Sequence, residues 1–358
     1  MLYLNALNKI NGVGPQKLKI LLSYFKNGEE IYNAPLLELI KSGISEKLAQ
    51  YIITQRNKIN PQEEWAKLEK ENIRAISFYD DNYPAPLKEI PSAPQLLYVK
   101  GDFDFNSSPM IAIVGSRKYS SYGQQVATSI AHDLVRAGIT VVSGMALGID
   151  TFAHRGALEG GGKTLAVLGS SLEDNNIGPR ANFNLSRHII ENGALVSDYP
   201  LGTQATPQTF PARNRLMAGL TLGTVVIEAA PLSGTLITAG MALDFNREVF
   251  AVPGSIFSPS SQGTNQLIKS GAKIVTSVND ILEELNIDKF QEKKTVREFI
   301  PASKEEEIIM KIISHEPTHI DRIIKLSRMN TSGVSSILIM LEMKGVIKDI
   351  GGQNYICL

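Results

Sequence analysis

The chain has 358 residues, of which 43% are hydrophobic and 20% charged, proportions typical of a globular protein with room for two or three domains. It carries 36 basic and 36 acidic side chains, so no overall positive charge indicates a nucleic-acid partner. One cysteine, Cys357, excludes an internal disulfide framework and suits a reducing compartment. The sequence shows no cleavable signal pattern and no apolar run of bilayer length, which predicts a cytoplasmic protein without membrane insertion.

Residues 1–72 are predicted to form a small all-helical domain. Gly12 to Pro15 separate two apolar segments, and Pro15 suits the first turn of the second helix. The pattern resembles a helix-hairpin-helix, whose glycine turn can present N–H groups to one DNA phosphate. A simple αα-hairpin explains it equally well, because no clear basic cluster accompanies it. Residues 41–56 repeat the pattern more weakly, and we interpret this domain as an accessory.

Short apolar runs alternate with longer helical stretches between residues 73 and 290. This alternation predicts an α/β core built on a doubly wound sheet, with helices on both faces. In such a sheet, ligands bind beyond the carboxyl ends of the strands. The predicted strands are residues 75–78, 96–99, 110–114, 140–142, 165–168, 195–197, 224–227 and 249–252.

The turn after the third predicted strand is the first candidate site. It passes through Gly115, Ser116 and Arg117 and reaches Ser120 and Ser121, either of which can cap the next helix. A strand, a small-residue turn and a helix N-terminus together favour an anion, because free N–H groups and the helix dipole converge there. This pattern fits a nucleotide and a polynucleotide equally well.

Two further turns place small residues at strand ends, where a ligand can approach the backbone closely. Asp150 is predicted to cap the helix after the first of them. The small residues are Ser143 and Gly144 in the first turn, and Ser233, Gly234 and Thr235 in the second, where they are predicted to begin a helix. Each turn alone is explained by the tight connection that any doubly wound domain needs.

Four arginines, at positions 117, 180, 213 and 215, fall in stretches that can gather at one end of the sheet. Arg213 and Arg215 are two residues apart and cannot share a helix face, so one is expected to reach the ligand while the other braces the fold or meets a partner. Residues 73–290 are slightly acidic overall, with 16 basic and 19 acidic side chains. A locally basic pocket lined by glycine suits a phosphate-bearing ligand, and Phe210 adds a stacking surface.

The sequence argues against several classes of enzyme, because their motifs are missing or stand in the wrong order relative to the predicted strands and helices. Residues 157–164 match a loosened P-loop, but they lead from a helix into a strand, the reverse of a P-loop. The turn after the third predicted strand does not have the sequence G-x-G-x-x-G of a dinucleotide-binding site. No acidic residue that could bind the ribose follows the next strand. The histidines are scattered, so no metal site or cofactor is predicted, and His154 is interpreted as a hydrogen-bonded structural residue. No G-x-S-x-G sequence occurs, and no catalytic residue is assigned.

The C-terminal part is predicted to consist of a linker at 291–303 and a winged helix at 304–358. The latter shows three helical patterns followed by two strands around a Gly-Gly turn. Its third helix begins near Asn330, where a DNA-reading version would contact bases. The domain carries seven basic and seven acidic side chains, which favours a protein-contact or structural role over duplex binding.

Long blocks of the core resemble the DNA-processing protein A family, also called DprA or Smf. They cover about residues 75–275 in order and include IVGSRKYSSYG, SGMALGIDTFAHRGAL, TLAVLGSSL, FPARNRLMAGL, VVIEAAPLSGTLITAGMAL and REVFAVPGS. The resemblance implies a Rossmann-like protein that binds single-stranded DNA without catalysing a reaction. It also implies a role in natural transformation, loading of RecA onto SSB-coated strands, and a homodimer.

The same resemblance implies roles for individual residues. Gly115, Ser116 and Arg117 would hold a phosphate, and Phe210 with Arg213 would border a base-binding pocket. Asn214 is also predicted to bind DNA. The small residues of the other two turns would line the DNA site. Arg180 stands where relatives often have a lysine in Y-P-K-x-N; this chain reads IGPRAN, which keeps the cation and lacks the tyrosine.

Two other functions compete with DNA binding. Nucleotide-cleaving enzymes of the lysine-decarboxylase-like Rossmann group carry P-G-G-x-G-T-x-x-E, but Thr238 stands at the position of the catalytic glutamate. Glu228 is close in sequence and lies at the strand end before the turn. A winged-helix transcription regulator would need sequence-selective duplex binding, against which the balanced charge of residues 304–358 argues.

Overall fold

The computed structural model of the protein describes residues 1–287, 303–314, 317–344 and 346–357. Contacts between residues divide the chain into two compact units, Met1–Phe290 and Gln291–Leu358. The boundary proposed at residue 72 lies inside the first unit and stays a prediction. Of the predicted linker, only Ser303 lies within the described residues, where it caps a helix by accepting the Glu306 N–H at 3.1 Å.

The N-terminal segment is helical, as predicted. Pro15 is the first residue of its helix behind the cap residue Gly14, which confirms the role assigned to it. The bundle packs its apolar side chains around Leu7 and Leu21 and against Leu96 of the sheet. The helices are α1 (Leu2–Asn8), α2 (Pro15–Tyr24), α3 (Gly28–Asn33), α4 (Leu36–Lys41), α5 (Glu46–Arg56) and α6 (Pro61–Lys70). The contact of the glycine turn with DNA stays a prediction.

The core is a mixed sheet in which seven neighbouring strands are parallel, and all eight predicted strands are present. Within the described residues the strands are β1 (Ile73–Ser77), β2 (Leu96–Gly101), β3 (Met110–Val114), β4 (Thr140–Ser143), β5 (Thr164–Val167), β6 (Gly193–Ser197), β7 (Gly223–Val226), β8 (Glu248–Ala251) and β9 (Lys273–Ile274). Their order is β1-β2-β6-β5-β4-β3-β7-β8-β9, and β2 runs antiparallel to both β1 and β6. The sequence did not predict β9, a two-residue exposed edge strand without an apolar run.

Helices cover both faces of this sheet, which confirms the doubly wound, Rossmann-like architecture. One face packs on α8, α9, α10 and α14, and the other on α7, α11 and α12. The helices are α7 (Ala85–Lys88), α8 (Ser121–Arg136), α9 (Ile149–Glu159), α10 (Phe183–Asn192), α11 (Thr209–Leu220), α12 (Gly234–Asp244), α13 (Gln262–Lys269) and α14 (Val278–Glu284), with short 3-10 helices at Arg180–Asn182 and Pro259–Ser261.

The strand order reverses at β3, and this reversal locates the site. From β3 the chain adds β4, β5 and β6 in one direction, then returns and adds β7, β8 and β9 in the other. The carboxyl ends of β3 and β7 therefore border the crevice in which doubly wound sheets bind ligands. The turn predicted as the first candidate site leaves β3 at this point.

The second unit has the predicted elements of a winged helix. They are α15 (Lys304–Ile312), β10 (Thr318–His319), α16 (Ile320–Ser327), α17 (Thr331–Met343), β11 (Ile347–Asp349) and β12 (Asn354–Cys357). Asn330 caps α17 by accepting the Gly333 N–H at 2.7 Å. The short β10 was not predicted; it pairs with β12 to make a three-stranded sheet in the order β10-β12-β11.

Candidate nucleic-acid interface

The turn after β3 is fixed against the turn after β4. The Ile149 N–H donates to the Ser116 carbonyl at 3.3 Å. Gly148 has φ of +88°, and a Cβ there would lie 2.4 Å from the same carbonyl oxygen, so only glycine permits this approach. The backbone that carries Arg117 is therefore held in place by the neighbouring turn.

Arg117 and Phe210, predicted from distant segments, meet at this turn. The exposed guanidinium of Arg117 lies over the Phe210 ring, 5.3 Å from its centroid. The half-buried ring packs on Gly169 after β5, where a Cβ would lie 3.3 Å from Phe210 Cδ1. Among the described residues, no carboxylate forms a salt bridge with Arg117. The pair thus presents a cation and an aromatic surface side by side.

Arg213 lies beneath this pair. It is 4% exposed, and its Nη1 donates to the Gly144 carbonyl at 2.8 Å and to the Val167 carbonyl. Its Nε donates to Asn214 Oδ1 at 3.2 Å. Burial lowers the pKa of Arg213 to about 10, and Asp150 opposes that shift. The side chain joins the turn after β4 to the end of β5 from within the protein.

Arg215 also holds the fold. Its Nη1 donates to the Ser92 carbonyl at 2.6 Å, and its Nη2 forms a salt bridge with Asp198, whose side chain is 10% exposed. The sequence predicted that one arginine of this pair reaches the ligand. In the structure both guanidinium groups are bound to carbonyl or carboxylate oxygens of the protein. A phosphate contact by Arg213 therefore stays a prediction that requires these bonds to change.

The turn after β4 is held from inside by side chains of its own segment. Ser143 is fully buried and donates its hydroxyl to the Ile113 carbonyl at 2.6 Å. Asp150 accepts the N–H groups of Gly144 and Ala146 at 3.1 and 3.3 Å, and burial raises its pKa. The prediction that Asp150 caps α9 is wrong, because Gly148 is the cap residue and Asp150 reaches back to the turn instead.

Arg180 is an exposed residue at the start of a 3-10 helix. Its guanidinium stacks 4.6 Å from the Phe183 ring centroid and donates to the Asp174 carbonyl at 3.1 Å. Sequence reasoning missed buried Asn182, two residues later, whose Nδ2 donates to the Met145 carbonyl at 2.9 Å and to Thr151 Oγ1 at 2.8 Å. The asparagine in IGPRAN fastens this segment to the turn after β4.

The third predicted turn starts α12 after β7. Ser233 caps the helix by accepting the Thr235 N–H at 3.2 Å, and Gly234 is exposed. The helix start is thus confirmed, whereas a contact of these residues with DNA stays a prediction.

Comparisons with known proteins identify the family of this chain. The family model for DNA recombination-mediator protein A matches residues 74–286, and the model for the DprA winged helix domain matches residues 296–353. The chain belongs to the DNA recombination-mediator protein A family. This confirms the resemblance drawn from the sequence blocks.

Relatives of this family align over most of the chain. The protein Smf of Synechocystis is 34% identical over 393 residues, which span 99% of this chain and 98% of that protein. The structure of DprA from Streptococcus pneumoniae has a TM-score of 0.70 and 38% identity, covering 79% of this chain and 98% of its own. DprA from Helicobacter pylori, whose structure is described for its single-stranded DNA binding mode, has a TM-score of 0.54 and 28% identity over 60% of this chain and 95% of its own.

The structure also tests the predictions made for the P-loop-like segment and for His154. The helix α9 ends at Glu159 and β5 begins at Thr164, which confirms the reversed order that argued against a P-loop. His154 is fully buried and hydrogen-bonded to Thr164 Oγ1 at 2.7 Å, as predicted for a structural histidine. No helix among the described residues is long and apolar enough to cross a membrane.

Proposed function

We propose that this protein binds single-stranded DNA and acts as a recombination mediator. The observation that carries this proposal is the exposed Arg117 guanidinium over the Phe210 ring at the point where the strand order reverses. A cation beside an aromatic face can hold a phosphate and stack a base without reading sequence. The single-stranded DNA binding described for the Helicobacter pylori relative supports the same function.

We assign the contacts according to exposure. Arg117 and Arg180 are exposed cations that neutralise strand phosphates, and the backbone of Gly115 and Ser116 approaches the strand beside them. Phe210 stacks a base. Arg213 acts from inside the protein by holding the turn after β4, against which the turn that carries Arg117 is fixed.

The finer steps of the function are part of the same proposal. They are protection of incoming strands in natural transformation, loading of RecA onto SSB-coated DNA, action as a homodimer, location in the cytoplasm, and the absence of a catalysed reaction. They rest on family membership.

The nucleotide-cleaving alternative lacks a free carboxylate at the expected place. Thr238 occupies the position of the catalytic glutamate, and Glu228 is buried with its carboxylate hydrogen-bonded to Ser120 and Ser260. Incubation with nucleoside monophosphates is expected to release no free base; release of base would support the alternative.

A salt-titrated comparison of oligo-dT and duplex DNA, with the full chain, tests the proposal. We expect tighter binding of the single strand at every salt concentration. Equal or tighter binding of duplex would contradict single-strand recognition and favour a regulator that acts through its winged helix.

Replacing Arg117 with alanine should weaken binding to all single-stranded sequences alike, because it removes a charge contact. The slope of log K against log salt should fall by about 0.7, the value for one phosphate contact on a single strand. Arg74→Ala, at an exposed arginine that pairs with Asp102, is the charge-matched control. Unchanged affinity for oligo-dT at matched salt would remove Arg117 from the interface.

Replacing Phe210 with alanine should reduce oligo-dT affinity by about 1 to 3 kcal/mol, the contribution of one stacked base, with little change in the salt slope. Phe210→Tyr keeps the ring and should retain most of the affinity. A fall in slope as large as that of Arg117→Ala would show that Phe210 acts by holding Arg117 rather than by stacking.

A further inference from the structure

A buried carboxylate occupies the N-terminus of α8. Glu228 follows β7 and is 2% exposed. Its Oε2 accepts the Ser120 N–H at 3.0 Å, and its Oε1 accepts the hydroxyls of Ser120 and Ser260 at 2.6 and 2.9 Å. One backbone N–H and two hydroxyl groups, from the two separate segments that hold Ser120 and Ser260, therefore converge on one anion.

This position is the one at which a Rossmann-like sheet receives a phosphate. The helix α8 starts directly after the turn at the strand-order reversal, and its 16 residues give it a dipole whose positive end faces Glu228. Gly123 in its first turn leaves room for the carboxylate, because a Cβ there would lie 2.2 Å from Glu228 Oε2. The cradle is shaped for an anion, and the chain supplies that anion itself.

We propose that Glu228 is a resident anion that fills the phosphate position of the fold and excludes the phosphate group of free mononucleotides. The charge of the helix N-terminus is neutralised internally by Glu228. A DNA phosphate is therefore bound at the outer rim by Arg117, three residues before the cap residue Ser120. Glu228 therefore has two roles. It fills the phosphate position at the N-terminus of α8, and it anchors the turn that carries the exposed Arg117.

Removal of the carboxylate should open an anion site that small anions can refill. The experiment compares the wild type, Glu228→Ala and the control Glu248→Ala, which removes an exposed glutamate on the adjacent strand β8. Thermal midpoints are measured in chloride, acetate and phosphate at equal ionic strength. Phosphate and acetate stabilise folded proteins in general by exclusion from their surfaces. We therefore expect these anions to raise the midpoint of Glu228→Ala, relative to chloride, by several degrees more than they raise the midpoints of the other two proteins.

Direct titration with inorganic phosphate and with AMP tests whether Glu228 excludes phosphate groups from the N-terminus of α8. Glu228→Ala should bind phosphate at least about tenfold more tightly than the wild type does, as expected when a helix N-terminus becomes free. An identical anion response of both proteins, or wild-type binding of AMP as tight as that of the variant, would overturn the proposal.

If Glu228→Ala is recovered unfolded, its refolding is followed in phosphate and in chloride through Trp65, the one tryptophan of the chain. Recovery in phosphate alone supports the proposal, and equal recovery or equal failure in both salts contradicts it.

None of these measurements on Glu228 uses DNA. Failure of single-strand binding by the wild type would therefore overturn the proposed function and leave this result intact.

Discussion

Replacement of Arg213 by alanine is expected to lower the free energy of unfolding by about 3 to 5 kcal/mol, the range measured when one member of a buried charged network is removed. The variant would leave the carbonyls of Gly144 and Val167 without the donor that joins them. It would also leave buried Asp150 without its largest favourable charge interaction. Arg213→Lys should recover only part of this loss, because one ammonium group cannot reproduce the planar guanidinium.

Urea unfolding followed by Trp65 fluorescence measures this effect. Trp65 lies in α6 and packs beside the apolar cluster around Tyr98, so it reports on the unit that contains Arg213. The control is Arg155→Ala, which removes an exposed arginine of α9 and should change stability by less than about 0.5 kcal/mol. A loss of comparable size in both variants would show that Arg213 does not brace the site.

Acidification from pH 7 to pH 5 is expected to lower the free energy of unfolding by about 2 kcal/mol through His154 alone. Thr164 Oγ1 donates its hydrogen to the Val141 carbonyl, so it can only accept a hydrogen bond from His154 Nδ1–H. Nε2 is buried and has no hydrogen-bond partner among the described residues. A proton added there would be buried and unpaired, and burial, with the nearby charge of Arg213, lowers the pKa of His154 to about 3.

The direction of this pH effect follows from proton uptake by the native and the unfolded protein. Below the ordinary histidine pKa of 6.5 the unfolded chain binds a proton that the native protein does not accept until its pKa of about 3. Stability is therefore lost as pH falls through this window, with a slope approaching about 1.4 kcal/mol per pH unit.

His154→Asn keeps a donor toward Thr164 and removes the titrating ring. Its unfolding free energy should depend less on pH between 7 and 5 than that of the wild type. His188→Asn, at an exposed histidine of α10, is the control and should keep the wild-type dependence. Parallel pH curves for the wild type and His154→Asn would contradict this assignment.

Local patterns were sufficient for most of the fold. The apolar run Met110–Val114 has the β-branched content of a buried parallel strand, and the structure places it in the centre of the sheet. Ser120, Ser233 and Pro15 fulfil their predicted roles at helix starts, because capping depends on residues within one turn. The strand β9 was missed because its two residues are exposed and held by pairing with β8 alone.

The roles of polar residues at the site were harder to predict, because they depend on segments far apart in sequence. Arg117 and Arg213 both lie in basic, small-residue stretches, yet one is exposed and the other holds two buried carbonyls. The sequence assigned Asp150 to a helix cap, whereas it accepts N–H groups of the preceding turn. Each difference arises because a buried polar group must find a partner, and the tertiary packing decides which one.

The sequence by itself determined the family, the doubly wound sheet, the winged helix and the turn that carries Arg117. These follow from apolar periodicity, capping and the order of the blocks, which are properties of neighbouring residues. Only the tertiary structure showed that Arg117 meets Phe210 and that Glu228 fills the anion position behind it. Those contacts join strands and turns about a hundred residues apart, and they exist because side-chain direction and burial are fixed only when the segments pack.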